Sequence, residues 1–212
     1  MTTYRLGTGD MLVVIDVQND FCPGGPLAVP EGAAVVPVIN GLIERFPAVI
    51  ATQDWHPPGH ASFASAHPGT APFQSIEVDY GPQTLWPDHC VQGSPGAEFH
   101  PDLAADAVEL VIRKGFRPGI DSYSAFQEND RRTSTGLAGY LRDRGIARVF
   151  CCGLAGDVCV YFSAVDAQAA GFECVFIEDA CRDIDMDGSR AKSRADLREL
   201  GIAIAMAGEI GG

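Results

Sequence analysis

Cys159 lies in FCCGLAGDVCVYF, where an apolar strand ending near Cys152 gives way to a glycine-bearing turn and a helix opening near Asp157. A thiol in the first turn of a helix meets free backbone N–H groups and the positive end of the helix dipole, and both favour negative charge. The expectation is a pKa lowered toward a reactive thiolate, with the N–H groups of Ala155 and Cys159 as candidate oxyanion donors. The alternative is that Cys159 is one more buried apolar side chain, as most cysteines are.

Residues elsewhere in the chain bear on that choice. Asp16 follows an apolar run in VVIDVQNDF, Asp54 and His56 follow one in IATQDWH, and Lys114 follows one in LVIRKGF. If the runs are parallel strands, these residues and the Cys159 turn leave the carboxyl ends of one sheet, where ligands bind in open α/β folds. Singly each is weak, because a lysine after a strand is usually solvated and an aspartate there is often a turn or cap residue. Together they form a nucleophile (Cys159), a general base (Asp16) and a cation that holds the base (Lys114). Covalent attack on a carbonyl needs that set. A neighbouring ammonium lowers the pKa of Asp16 and burial raises it, so the working value stays open. No histidine neighbours Cys159 in sequence, so a Cys–His pair would need a histidine from a loop.

Asp54 and His56 are two residues apart and share one side of an extended segment. His89, in LWPDHCVQG, can arrive as a third ligand. Three mixed oxygen and nitrogen donors leave open coordination positions, as catalytic metal sites do. Zinc, iron and manganese all accept such donors. The competing reading is a turn built on DWH with Trp55 as packing. His60 and His67 read as extra ligands or, in the favoured alternative, as polar loop groups, and His100, in EFHPDL, as a capping or loop-bracing residue.

The elements that must position these residues are six short, mostly continuous apolar runs at 11–15, 49–52, 110–112, 148–152, 174–177 and 202–206. Continuous runs suit strands buried on both faces. Helical patterns occupy 31–45 (with Pro37 inside), 137–144 (after Ser134-Thr135, a candidate cap), 157–170 (ending at Gly171) and 189–200 (ending at Gly201). The alternation predicts an α/β fold with a mostly parallel sheet covered on both faces. Residues 55–106 form a long stretch holding all five histidines, and 115–133 is a second irregular segment. Loops of that length in a compact domain are usually functional.

The chain has 212 residues, 46% of them hydrophobic, which suits one domain over 1–212. A net charge of −13 and the lack of a basic stripe exclude nucleic-acid binding and argue against anionic membranes. No run is long enough to span a bilayer, and the opening MTTYRLGTGDMLVVID lacks the pattern of a signal peptide. Seven cysteines, several within apolar runs and none in a CxxC pair, read as reduced thiols in a cytoplasmic protein.

The segments VVIDVQNDFCPGGPLAV, ATQDWHPPGHASFAS, LWPDHCVQGSPGAEFHPDL, RKGFRPGIDSYSAF and GLAGDVCVYFSAVDA resemble, in order, the nicotinamidase/pyrazinamidase family of isochorismatase-like cysteine hydrolases. The resemblance implies a three-layer αβα sandwich around a six-stranded sheet. It implies hydrolysis of the pyridine carboxamide nicotinamide, and of the related diazine carboxamide pyrazinamide, to the acid and ammonia through a cysteine thioester. Carried over by position, the triad falls on Asp16, Lys114 and Cys159, and the ligands of one divalent ion, zinc first, on Asp54, His56 and His89. Phe21 and Trp86, with Tyr123 nearby, would hold the pyridine ring, whose nitrogen would meet the metal. A cis peptide is implied between Leu154 and Ala155. Gly156 and Val158 depart from many relatives and are expected to alter the pocket. Assembly into homo-oligomers is compatible with the family. A second reading is another cysteine amidohydrolase of this fold, acting on a carbamoyl or maleamate-type amide; the DWH…PDHC set weighs against it. A non-catalytic metal- or pyridine-binding module is the third, and the intact triad weighs against that.

Overall fold

The computed structural model describes residues 3–211. Six parallel strands form the central sheet: β1 (Asp10–Ile15), β2 (Val49–Asp54), β3 (Leu110–Lys114), β4 (Arg148–Gly153), β5 (Glu173–Cys181) and β6 (Ala203–Ala205). Their order is β3-β2-β1-β4-β5-β6, and every pairing is parallel. All residues of β1 and β2 are buried, which accounts for their unbroken apolar character.

Four α-helices flank the sheet: α1 (Val35–Ile43), α2 (Leu137–Asp143), α3 (Tyr161–Ala169) and α4 (Ser189–Glu199). Right-handed crossovers place α1, between β1 and β2, on one face, and the helices that follow β3, β4 and β5 on the other. The result is a three-layer αβα sandwich. Strand order reverses between β1 and β4, so the crevice where ligands bind opens beside Asp16 and the turn after Gly153. The strands are tightly apposed there. Gly153 has φ +121, and a Cβ on it would collide with the Ile15 backbone.

Element bounds differ from expectation where local chemistry intervenes. The pattern at 31–45 splits into a 3₁₀ turn, Gly32–Ala34, and the shorter α1. Pro37 sits in the first turn of α1, where its missing N–H would have had no intrahelical partner. Helix α2 opens on Gly136 at φ 94, so neither Ser134 nor Thr135 is its N-cap. Their hydroxyls accept instead from Gly136 N–H (3.0 Å) and Leu137 N–H (3.3 Å). The helix expected over 157–170 begins as a single π-helical turn, Gly156–Val160, before α3. The long segment 55–106 carries 3₁₀ turns and a hairpin, Ser75–Val78 with Gly81–Thr84. No helix among the described residues is long and apolar enough to cross a membrane.

Candidate active site

Asp16 follows β1 directly, with φ 49, a left-handed conformation that turns its carboxylate into the crevice. Thr52 on β2 fixes it: the Thr52 hydroxyl donates to Asp16 Oδ1 at 2.6 Å and accepts from Asp16 N–H at 3.2 Å. Lys114, the last residue of β3, is fully buried. Its ammonium meets Asp16 Oδ2 at 2.7 Å, Asp54 Oδ1, the Ser122 carbonyl at 3.0 Å and Cys159 Sγ at 3.6 Å. The carboxylates of Asp16 and Asp54 and the Cys159 sulfur all lie within 4.8 Å of one another. The three residues expected to act together are therefore brought together, with Asp54 as an unforeseen fourth neighbour.

Burial raises Asp16 to about 6, with Lys114 pulling down and Asp54 pushing up. It is ionised at neutral pH and still basic enough to take a proton. Burial would also raise Asp54, but Lys114, His56 and His89 hold it well below the usual carboxylate range. Burial opposes charge on Lys114, yet Asp16, Asp54 and Cys159 together keep its pKa well above the ordinary value. For Cys159 the expectation of a lowered pKa does not hold. Burial pushes the thiol well up, Lys114 opposes this, and the two carboxylates add to the rise. Burial therefore favours the thiol over the thiolate at this position.

Asp54 divides its carboxylate between two clusters. Oδ1 faces Lys114, and Oδ2 lies 3.7 Å from both His56 Nε2 and His89 Nε2. That spacing is too long for hydrogen bonds and short enough for one ion with bonds of about 2.0–2.2 Å to bridge. The tautomers are set for it. His56 Nδ1 donates to the Gly115 carbonyl at 2.8 Å and His89 Nδ1 to the Pro87 carbonyl at 2.7 Å, leaving both Nε2 lone pairs toward Asp54. Among the described residues, the buried His56 Nε2 has no hydrogen-bond partner. A three-residue set with an orphaned donor aimed inward fits a metal ion. Gly115 makes the approach to His56 close: it has φ +65, and a Cβ there would lie 2.7 Å from His56 Nδ1. Gly115→Ala should weaken metal binding by about 10–100-fold, the usual effect of disturbing a ligand's support, as read by chelator competition; an unchanged affinity would refute this role.

The pocket beside Cys159 is lined by Phe21, Leu27, Trp86 and Tyr123, by His89, Asp54 and Asp121, and by Ala155, Val158 and Ile184. The three expected aromatic residues do converge. Trp86 Nε1 donates to the Tyr123 hydroxyl at 3.2 Å, fixing the two rings at 83°. Ala155, extended at φ −83 and preceded by a cis peptide from Leu154, and Cys159 border the same space. Val158 lines the pocket, but Gly156 does not; it faces Asp183 and Arg194 behind the turn. His60 lies outside the Asp54–His56–His89 set, although it clusters with His56 and Asp121 in a second group of candidate ligands. Its Nδ1 engages Ser62 at 2.8 Å and its Nε2 the Arg117 carbonyl at 2.8 Å. His67 and His100 brace loops through the Ala61 carbonyl and the Asp102 N–H.

Sequence reasoning passed over Thr52, Gln18, Asp121, Leu27 and Ile184. Gln18 accepts from Asp54 N–H at 2.8 Å and donates to the Asp54 carbonyl at 2.9 Å, locking that residue's backbone. Thr52 was findable, since it lies two residues before Asp54 on the same strand face. Ile184 carries no sequence signal.

The isochorismatase-domain profile matches residues 10–207. The nicotinamidase of Acinetobacter baylyi (strain ATCC 33305 / BD413 / ADP1) is 52% identical over 191 residues, covering 90% of this chain and 89% of that protein. The solved nicotinamidase/pyrazinamidase of Acinetobacter baumanii is 50% identical, with TM-score 0.95 over 96% of this chain and 98% of that one. PnC1 from L. infantum, in complex with nicotinate, is 39% identical, with TM-score 0.86 over 98% of each chain. The pyrazinamidase of Pyrococcus horikoshii, in complex with zinc, is 36% identical, with TM-score 0.75 over 93% of this chain and 99% of that one. Agreement in sequence and fold over nearly the whole length settles membership: this chain belongs to the isochorismatase-domain family, on its nicotinamidase/pyrazinamidase branch.

Proposed function

We propose that the chain hydrolyses nicotinamide to nicotinate and ammonia through a thioester on Cys159, and acts on pyrazinamide in the same way. The observation that carries this reading is the buried Lys114 ammonium, held between Asp16 at 2.7 Å and the Cys159 sulfur at 3.6 Å at the foot of an aromatic pocket. Phe21, Trp86 and Tyr123 enclose the pyridine ring and direct its carboxamide at Cys159.

Asp16 takes the thiol proton as sulfur attacks the carbonyl carbon. The N–H groups of Ala155 and Cys159 receive the charge that develops on oxygen. Collapse breaks the C–N bond, and protonated Asp16 delivers its proton to the departing nitrogen, which leaves as ammonia. Water then attacks the thioester with Asp16 again as base, and nicotinate departs as the thiol is restored. Lys114 stays charged throughout. It holds Asp16 in place and limits the charge that builds up near sulfur.

Asp54, His56 and His89 would hold one divalent ion, which when bound supplies a Lewis-acidic contact for the ring nitrogen and so orients the substrate. Zinc is our assignment, supported by the donor set and by the zinc complex of the Pyrococcus horikoshii relative; iron and manganese suit the same donors. The same reading sets the enzyme in the cytoplasm, supported by seven cysteines that are all free and buried.

The test is ammonia release from nicotinamide by the metal-loaded protein, repeated after chelation and after metal is restored. Release should fall by at least about tenfold on chelation, the lower bound for losing a substrate-orienting contact, and return on add-back. No release from a folded, loaded protein would overturn the substrate. Full activity in a verified metal-free protein would overturn the role of the ion.

A further inference from the structure

Asp157 stands two residues before the nucleophile and is almost wholly buried, yet its carboxylate turns away from Lys114, into the segment that follows β5. Its Oδ1 accepts the Ile184 N–H at 3.0 Å. Its Oδ2 accepts the Asp185 N–H at 2.8 Å and the Ser189 hydroxyl at 2.5 Å. The adjacent Gly156 N–H donates to the Arg182 carbonyl at 2.7 Å. A Cβ on Gly156 would lie 2.5 Å from Asp183 Oδ1 and 3.2 Å from Arg194 Nη2. The backbone of the nucleophile turn therefore rests directly on the Asp183–Arg194 pair, itself closed at 2.8 and 3.0 Å.

Residues 182–189 need such anchoring. Asp185 (φ 55) and Asp187 (φ 50) both adopt left-handed backbone, which side-chain-bearing residues disfavour. Between these anchors Ile184 reaches the pocket, where it stands with Leu27 and Val158 in the wall beside Cys159. A carboxylate suits this position because it accepts several donors at once. An amide in its place has one oxygen and turns an NH2 toward other donors.

We propose that Asp157 is a positioning residue that sets how tightly the pocket fits its substrate, by holding Ile184 as a wall of the site. The substrate half of this proposal rests on the nicotinamidase reading above. The clamp itself is a property of the fold and can be measured apart from turnover.

The test compares wild type with Asp157→Asn, Ile184→Ala and the double variant. For Asp157→Asn, KM for nicotinamide should rise about tenfold with kcat within about threefold, the mark of lost binding and not of lost chemistry. Ile184→Ala should do the same, and the double variant should add little, because both changes remove one wall. Amide hydrogen exchange at Ile184 and Asp185 should accelerate in Asp157→Asn whether or not the protein turns over. If Asp157→Asn proves unfolded by circular dichroism, Ser189→Ala removes a single donor to the same carboxylate and should shift KM and exchange in the same direction. A loss of kcat at constant KM, full additivity with Ile184→Ala, or unchanged exchange at Ile184 would each overturn the proposal. A wild type that releases no ammonia would instead sink the nicotinamidase reading, and the exchange measurement would still decide the clamp.

Discussion

Replacing Cys159 by alanine abolishes ammonia release from nicotinamide, lowering kcat by at least about 10⁴-fold, because no other group can form the covalent intermediate. The size of the expected loss follows from what surrounds the sulfur. Asp16 and Lys114 are organised around that atom, at a centre whose polar groups are all buried. Without the thiol they have no proton to take and no nucleophile to steady. The fold should survive, since alanine fits wherever a cysteine side chain does and only one buried sulfur is removed. Circular dichroism and the urea midpoint serve as controls. A folded Cys159→Ala protein within tenfold of the wild-type rate would remove Cys159 from the mechanism and return it to the packing role that most buried cysteines have.

Lys114→Met should be the most damaging single change to stability at the site, and activity should fall with it. Methionine keeps much of the length and apolar contact of lysine but removes the charge. Asp16 and Asp54 would then face each other across a fully buried gap with no cation between them. Breaking a buried ion pair by removing one partner typically destabilises by about 3–5 kcal/mol. The urea midpoint should fall accordingly, with little change in slope. Adding Asp16→Asn to Lys114→Met should recover part of the lost stability, because one of the two stranded charges is gone, and should restore no activity. A Lys114→Met protein with an unchanged midpoint would show that the two carboxylates are not ionised together, and the charge arrangement derived above would be wrong.

The inner strands were legible because both faces of the sheet are covered there, so β1 and β2 are continuous apolar runs that end at polar residues, whereas the edge strand β3 alternates half-buried and exposed residues. Asp16, Asp54 and Lys114 could be placed at one rim for the same reason: each stands where such a run stops. The protonation of Cys159 was not legible. Local sequence reports the helix start that would stabilise a thiolate, whereas the opposing desolvation comes from strands and loops that pack over it from elsewhere in the chain. The split role of Asp54 was hidden for a similar reason. Its side toward His56 follows from the D-x-H spacing, but its contact with Lys114 joins residues sixty positions apart. Gly156 was expected to shape the pocket because it neighbours the nucleophile in sequence. In the structure the turn directs Val158 inward and Gly156 outward, so adjacency along the chain did not mean adjacency to the ligand.

Strand β3 stands at the end of the sheet, paired with β2 alone. It is also the strand that delivers Lys114, and the residues just beyond it supply the Gly115 carbonyl that orients His56 and the Tyr123 ring of the pocket. An edge strand is bonded on one side only, and protein segments open locally with free energies well below that of global unfolding when fewer contacts hold them. Detachment of this one strand would withdraw the ammonium, unsettle the proposed ligand His56 and open the aromatic wall together, with β1, β2, β4, β5 and β6 still paired. Opening of this one edge strand would therefore cost the proposed centre its cation and part of its pocket while the rest of the sheet stays paired.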